Sequence, residues 1–325
     1  MRAITRKVAS LGLVLSFAGG ALPSLAQTPY PARPIRFLVG VVPGGAADLL
    51  ARAIGQRLGE RLGTQVIVDN RPGANQTIAA HLTATATPDG HTILIVPSGH
   101  AISPSMYALK YDSVNDFSAI GLVAMVPNVL VVHPAIPARS VKDFIAYART
   151  KPGELNMGSS GTGSASHLAG ELFQMMTQTR LTHVPFKGQG AAMVDLVAGR
   201  LQTGFPSVPA SLPHVKTGRM HALGVTPRNR SSAMPDVPTL EEAGVTGYEV
   251  AGWYGVLGPA RIPKRIVGRL NEEIALMMRD PTMRETLTRA GADPLSSTPE
   301  EFRRIIADDI GKWAKVVKAA GVKMQ

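Results

Sequence analysis

Cysteine is absent from the 325-residue sequence. Its absence excludes disulfide bonds, thiolate chemistry, and zinc or iron–sulfur sites that depend on sulfur ligands. It also excludes a lipid-modified cysteine that would anchor an exported protein to a membrane. The eight histidines are dispersed, and none lies in a His-Glu-x-x-His pattern. We therefore expect neither a metal site nor a cofactor.

Concentrated positive charge is also missing, although the formal net charge is +11. The lysine and arginine residues are scattered among acidic residues, and no basic stripe is interleaved with aromatic side chains. Because a nucleic-acid-binding surface requires such a patch, a nucleic-acid partner is not expected. The weak positive field favours the approach of small anions to a cleft instead.

Long apolar runs are lacking as well, apart from a short one near the N-terminus. Three basic residues precede apolar residues 8–18, and Ser24-Leu25-Ala26 supplies the small residues that signal peptidase requires. The apolar run is shorter than the roughly 20 residues of a membrane-spanning helix. These features predict a cleaved signal peptide over residues 1–26 and an exported mature protein.

From residue 33 onward, strand-like runs alternate with helical patterns. Residues 35–42 and 92–96 have the composition of buried strands, and helical spacing of apolar residues follows the first of them. This alternation predicts an α/β fold with mostly parallel sheets. About 300 residues after the signal peptide suffice for two lobes of ordinary size.

Two lobes with helices left over at the end indicate a clamshell whose chain crosses between the lobes. We expect the crossovers near Pro127-Asn128 and within residues 247–255. The predicted first lobe comprises residues 27–127 and 250–325, and the predicted second lobe comprises residues 128–249.

The first candidate site is the loop at residues 43–48, Pro-Gly-Gly-Ala-Ala-Asp, between the first strand and the first helix. Ligands of parallel α/β sheets bind at such carboxyl ends of strands. Paired glycines let a ligand approach the backbone, and the helix start adds N–H donors and the positive end of a dipole. The loop predicts an anion site without a charged side chain. Asp48 is interpreted as a residue that caps or orients the loop.

The second candidate site is the loop at residues 158–164, Gly-Ser-Ser-Gly-Thr-Gly-Ser, which repeats this design with hydroxyl groups. His167 lies in the first turn of the helix that follows. Ser166 stands where a dinucleotide-binding fingerprint requires a glycine, and no acidic residue ends the later strand. Nucleotide binding is therefore disfavoured.

A hydrolase is the main alternative from a different functional class. Ser159 or Ser164 would be its nucleophile, and His167 or His183 its base. However, the loop lacks the Gly-x-Ser-x-Gly pattern, and no sequence feature selects an aspartate to orient the histidine. Serine and histidine at a helix start more often cap the helix or donate hydrogen bonds.

An ordered series of short motifs extends over the chain. It comprises Pro43-Gly44-Gly45 with Asp48, Asn70-Arg71-Pro72-Gly73-Ala74, Pro88-Asp89-Gly90, Val126-Pro127-Asn128, His167-Leu168-Ala169-Gly170-Glu171-Leu172-Phe173, His183-Val184-Pro185-Phe186-Lys187-Gly188, Leu212-Pro213-His214-Val215-Lys216 and Pro235-Asp236-Val237-Pro238-Thr239. This series resembles the Bug/TctC family, the extracytoplasmic solute receptors of tripartite tricarboxylate transporters. The resemblance covers residues 30–322.

The resemblance implies a two-lobed periplasmic binding protein of type II-like fold that catalyses no reaction. It implies a monomer that binds a small carboxylate, often through ordered water, and delivers it to membrane permease subunits. A periplasmic sensor that reports ligand to a membrane kinase would use the same clamshell, so this alternative stays open. The ligand contacts that the resemblance implies are Gly44, Gly45, Ala46, Asp48, Ser98, Gly99, Ser159, Ser160, Gly161, Thr162, Ser164, His167, Phe205, Pro206 and Ser207.

Two segments depart from the family's usual pattern. Asn75-Gln76-Thr77 replaces a small, glycine-rich stretch, and Thr203-Gly204-Phe205-Pro206 replaces a strand that often ends in an acidic or small polar residue. We expect Phe205-Pro206 to face the pocket. The identity of the carboxylate therefore cannot be inferred from that of a relative.

Overall fold

The computed structural model describes residues 30–44, 46–289 and 291–322. The predicted signal peptide over residues 1–26 and the predicted ligand contact Gly45 lie outside the described residues. Among the described residues, no helix has the length and hydropathy needed to cross a membrane.

The described strands and helices alternate along most of the chain. The strands are β1 (Ile35–Val39), β2 (Val66–Asn70), β3 (Thr92–Pro97), β4 (Phe117–Met125), β5 (Val129–Val132), β6 (Asn156–Ser159), β7 (Thr182–Pro185), β8 (Thr203–Gly204), β9 (His221–Val225), β10 (Trp253–Pro259) and β11 (Asp293–Pro294). The helices are α1 (Ala46–Leu62), α2 (Thr77–Ala84), α3 (Gly99–Met106), α4 (Val141–Thr150), α5 (Ala165–Thr177), α6 (Gln189–Val197), α7 (Val208–Lys216), α8 (Lys264–Arg279), α9 (Pro281–Arg289) and α10 (Pro299–Ala319). A short 3₁₀ helix (Ala74–Gln76) precedes α2.

Local sequence explains where several helices begin and which face they bury. In α1, Leu50, Ile54 and Leu58 recur at helical spacing and are all buried. Ser140 caps α4, since its side chain accepts a hydrogen bond from the N–H of Asp143. Helix α10 begins with a reciprocal capping box between Thr298 and Glu301.

The strands form two sheets. The first sheet has the order β11-β4-β10-β3-β1-β2, and the second has the order β7-β6-β8-β5-β9. The α/β class of the sequence prediction is confirmed. Among the described pairs, however, only β1–β2, β1–β3, β6–β7 and β6–β8 are parallel, so the sheets are mixed rather than mostly parallel.

The antiparallel pairs have a topological cause. Strand β10 runs antiparallel to β3 and β4, and β5 runs antiparallel to β8 and β9. Both β5 and β10 are the first strands after the chain has passed from one sheet to the other, so each enters its new sheet from the opposite direction. A short edge strand, β11, adds another antiparallel pair with β4.

Residues 99–125 contain an element pair that the sequence analysis did not predict. Helix α3 includes Pro104, which masks a helical pattern, and β4 is a long apolar strand between the edge strand β11 and β10 in the first sheet. The chain then leaves the first sheet after Met125 and enters the second at Val129. It returns between Val225 and Trp253.

Candidate functional site

Asp48 organises the loop that precedes α1. Its carboxylate is 2% exposed and accepts hydrogen bonds from Gly44 N–H at 3.0 Å, Arg52 Nε at 2.9 Å and Asn70 Nδ2 at 2.9 Å. Asn70 also donates to the carbonyl oxygen of Val41 at 2.9 Å. Burial alone would raise the pKa of Asp48, but the hydrogen bonds from Arg52, Gly44 and Asn70 hold it below its usual value. Asp48 is therefore an ionised anchor that holds Gly44 directly and Val41 through Asn70.

The remaining predicted contacts near the first sheet lie at strand ends. Gly44 has a φ of +88°, which favours glycine, and Ala46 is the first residue of α1. Ser98 is buried directly after β3, and its N–H donates to the carbonyl oxygen of Trp253 at 2.8 Å. Gly99 begins α3. Gly44 and Ala46 thus follow β1, and Ser98 and Gly99 follow the adjacent strand β3.

The second loop is held by a contact between buried Ser159 and half-buried His183. Ser159 Oγ lies 2.6 Å from His183 Nε2 and accepts the N–H of Gly161 at 3.2 Å. Gly161 and Gly163 have φ values of +132° and +74°, so the turn requires glycine at both positions. This geometry fixes the path of the backbone between β6 and α5.

A chain of hydroxyl groups lies at the start of α5. Ser166 Oγ is 3.1 Å from both Ser160 Oγ and Ser164 Oγ, and it accepts the N–H of Ser160 at 3.0 Å. Ser164 caps the helix by accepting the N–H of His167 at 3.2 Å. The N–H groups of Ala165 and Ser166 have no acceptor within the helix, as is general for a first helical turn. The loop thus presents hydroxyl and N–H donors together.

Two stacked histidines contact this loop. The rings of His167 and His183 are 3.7 Å apart between centroids and nearly parallel, at 14°. Nδ1 of His167 accepts the N–H of Gly163 at 3.0 Å, so its proton is on Nε2, which lies 3.4 Å from Glu171 Oε1. Burial and the neighbouring His167 lower the pKa of His183 to about 4. His183 is therefore neutral near neutral pH.

The strand end at residues 205–207 differs from the expectation. Phe205 was expected to face the pocket, but its ring is fully buried in the core, 5.6 Å from the ring of Phe173 between centroids. Pro206 is buried too, and its carbonyl oxygen accepts the N–H of Val129 at 2.9 Å. Ser207 is half-buried, and its Oγ accepts a hydrogen bond from Gln189 Nε2 at 3.1 Å. Only Ser207 of the three presents a polar side chain.

Ser159, Ser160, Gly161, Ser164 and His167 are thus brought into one hydrogen-bonded network. The sequence analysis did not identify Ser166, whose hydroxyl group is central to this network. It considered His183 for a chemical role only as the base of a hydrolase. The motif that begins at His183 was visible in the sequence, but its contact with Ser159 spans 24 residues of chain. Within the described part of the chain, no group of three or more histidine and acidic residues is placed to hold a metal ion.

Comparison with known proteins gives consistent matches over the chain. A family model described as "Tripartite tricarboxylate transporter family receptor" matches residues 50–322. Protein BugT of Bordetella pertussis is 35% identical over 325 residues, which cover 99% of each chain. The solved structure of Rpa4515 from R. palustris with adipate is 36% identical, with a TM-score of 0.82 over 91% of this chain and 100% of that one. MatC from Rhodopseudomonas palustris with bound malate is 29% identical, with a TM-score of 0.77 over 89% of this chain and 100% of that one.

Proposed function

Because this chain belongs to the tripartite tricarboxylate transporter receptor family, we propose that it is a periplasmic receptor for a small carboxylate, which it delivers to the membrane subunits of such a transporter. The observation that carries this proposal is the match to Rpa4515 with adipate at 36% identity and a TM-score of 0.82. The match to MatC with bound malate adds a second carboxylate-bound relative.

The second loop has the chemistry that a carboxylate needs. Hydroxyl groups of Ser160 and Ser164 and the N–H groups at the start of α5 are suitable donors, and the positive end of the helix dipole favours an anion there. Charge-assisted hydrogen bonds contribute roughly 1.5–3 kcal/mol each. Several of them, reduced by ordering and desolvation costs, can reach micromolar affinity, about −8 kcal/mol. No buried lysine or arginine is required.

Burial divides the predicted contacts into two proposed roles. Asp48, Ser159 and His167 are at most 3% exposed and have protein partners, which supports a role in shaping the two loops. Ser160, Thr162, Ser164 and Ser207 are half-buried, which supports direct or water-mediated contact with ligand. Phe205 would pack behind the residues that contact the ligand.

The proposed lobes are those of the sequence analysis, residues 27–127 with 250–325, and residues 128–249. Their support is that β1–β4 and β10 share one sheet and β5–β9 share the other. Ligand would bind to the strand ends and helix starts of both lobes, and the protein would act as a monomer.

One observation favours the hydrolase alternative, namely the 2.6 Å approach of Ser159 Oγ to His183 Nε2. A triad also needs a carboxylate that orients the base, but Glu171 lies beside His167. Ser159 is moreover buried, so a substrate carbonyl has little access to it. We therefore propose binding without turnover, and purified protein should not consume a bound ester or amide over time.

Calorimetry on matched acid and amide pairs tests the proposed ligand class. A cognate carboxylate should bind about a hundredfold or more tightly than its amide, because the amide loses several charge-assisted hydrogen bonds. Equal affinity for an acid and its amide would contradict an anion site. Binding of neither, over a wide panel of small acids, would contradict the proposed function.

A further inference from the structure

Two amide side chains near the start of α2 bury atoms that have no hydrogen-bond partner. They are Nδ2 of Asn75, a donor, and Oε1 of Gln76, an acceptor. Buried polar atoms in proteins are nearly always bonded, because an unpaired one keeps its full desolvation penalty. We therefore expect a bound group to form hydrogen bonds with these two atoms.

The backbone around these amides is strained. Ala74, Asn75 and Gln76 have φ values of 42°, 47° and 72°, in the left-handed region that residues other than glycine rarely adopt. Such strain persists only where the surrounding structure imposes it, and it concentrates at functional positions. The strained backbone thus carries the two amide groups at the start of α2.

The two amides line a small pocket together with Pro97, His100, Ser103 and Tyr111. Its volume is about 10 Å³, which is room for one water-sized group. Gln76 packs against the end of β1, since a Cβ on Gly40 would lie only 2.5 Å from Gln76 Cβ. Pro97 is the last residue of β3 and directly precedes Ser98. The pocket is therefore lined by β3, α2 and α3, and it lies beside the end of β3 that leads to the proposed contacts Ser98 and Gly99.

The residues that line the pocket carry one unpaired donor and one unpaired acceptor, and none of them is charged. His100 is neutral near neutral pH because burial lowers its pKa to about 4, and its Nε2 already donates to the carbonyl oxygen of Ser113 at 2.9 Å. A hydroxyl group both donates and accepts, and it is the size of a water molecule. A carboxylate oxygen only accepts, so Oε1 of Gln76 would repel it. The pocket is complementary to a hydroxyl group.

We infer that Asn75 and Gln76 form a hydroxyl subsite, so that the carboxylate bound under the proposed function, on which this inference rests, is a hydroxy acid. The carboxylate would be held by the strand–helix loops. Its hydroxyl group would donate to Oε1 of Gln76 and accept from Nδ2 of Asn75. Hydroxy acids would thereby be selected over the same acids without the hydroxyl group.

Calorimetry with matched pairs of acids tests this inference. Suitable pairs are malate and succinate, citrate and tricarballylate, lactate and propionate, and 3-hydroxybutyrate and butyrate. In the unmodified protein, the hydroxy acid of the best-binding pair should bind about tenfold or more tightly than its deoxy partner. Gln76→Met keeps the side-chain volume but removes the acceptor, so it should bring the two affinities within about twofold.

Gln178→Met is the matched control. Gln178 is also a glutamine with a left-handed backbone, at φ 53°, but it is exposed at the end of α5. This variant should keep the full preference for the hydroxy acid. If Gln76→Met does not fold, Asn75→Gly replaces it, because glycine relieves the strain at φ 47° and removes the donor.

The possible outcomes separate this inference from the proposed function. If the acids of each pair bind equally to the unmodified protein, the pocket holds only water, and the subsite is overturned while the carboxylate receptor stands. If the preference survives in Gln76→Met and in Asn75→Gly, the hydroxyl group is recognised elsewhere and the subsite is overturned. If the folded protein binds none of the acids, the proposed function fails, and this inference fails with it.

Discussion

The carboxylate of Asp48 accepts hydrogen bonds from a backbone N–H, a guanidinium and a side-chain amide while it is nearly inaccessible to solvent. It holds Gly44 directly, and through Asn70 it also holds the carbonyl oxygen of Val41. Its position at the start of α1 is also favourable for a negative charge. A single side chain thereby fixes the backbone that the proposed ligand approaches.

Asp48→Ala is expected to lower the free energy of unfolding by about 2–4 kcal/mol, because it leaves the N–H of Gly44 and the amide of Asn70 without their partner. Ligand affinity should fall as well, since the loop loses its fixed path. Urea unfolding and calorimetry measure the two effects. Arg57→Ala, which removes an exposed ion pair with Glu60, is the control and should change stability by less than about 1 kcal/mol. An Asp48→Ala protein with unchanged affinity would contradict a positioning role.

Helices α4 and α5 begin in the same way, which offers an internal comparison. Ser140 Oγ accepts the N–H of Asp143 at 3.1 Å, and Ser164 Oγ accepts the N–H of His167 at 3.2 Å. Only Ser164 also takes part in the hydroxyl network with Ser166. The two caps should therefore have similar effects on stability and different effects on binding.

Ser164→Ala and Ser140→Ala should each lower the free energy of unfolding by about 1 kcal/mol, the usual cost of losing a serine N-cap. Ser164→Ala should also weaken carboxylate binding about three- to tenfold, whereas Ser140→Ala should leave the affinity unchanged. Thermal unfolding and calorimetry on both variants check this. If both variants bind ligand equally well, Ser164 does not belong to the binding site.

Across the whole molecule, the two segments that connect the sheets lie side by side. The N–H of Val126 donates to the carbonyl oxygen of Gly252 at 2.7 Å. Helix α10 holds the returning segment as well, because Trp253 Nε1 donates to Asp309 Oδ2 at 2.6 Å and the ammonium group of Lys312 donates to the carbonyl oxygen of Glu249. The path of the chain between the sheets is thus fixed by contacts between residues that are distant in sequence.

Gly252→Ala is expected to destabilise the protein by at least about 2 kcal/mol, because it forces a side chain into a filled space. A Cβ at this position would lie 2.1 Å from the carbonyl oxygen of Val126. Gly268→Ala is the control: it lies in α8 with no atom near the added Cβ, and alanine should stabilise the helix by about 0.5–1 kcal/mol. Urea unfolding of both variants measures the difference. Similar stability of the two variants would contradict tight contact between the connecting segments.

The sequence by itself determined the local elements and the family. Strand β3 ends one residue beyond the predicted run at residues 92–96, and β1 begins at the predicted residue 35. Periodicity, caps and glycine positions act over a few residues, so a single sequence contains them completely. The ordered motifs likewise indicated the receptor family to which the chain belongs.

Only the tertiary structure decided which side chains meet and in which direction strands run. Strand β10 is antiparallel to its neighbours because the chain has just returned from the other sheet. Phe205 packs into the core, Ser159 meets His183, and Asn75 and Gln76 keep unpaired atoms in a pocket. Each of these outcomes depends on contacts between segments far apart in the chain, and short-range patterns carry no information about such contacts.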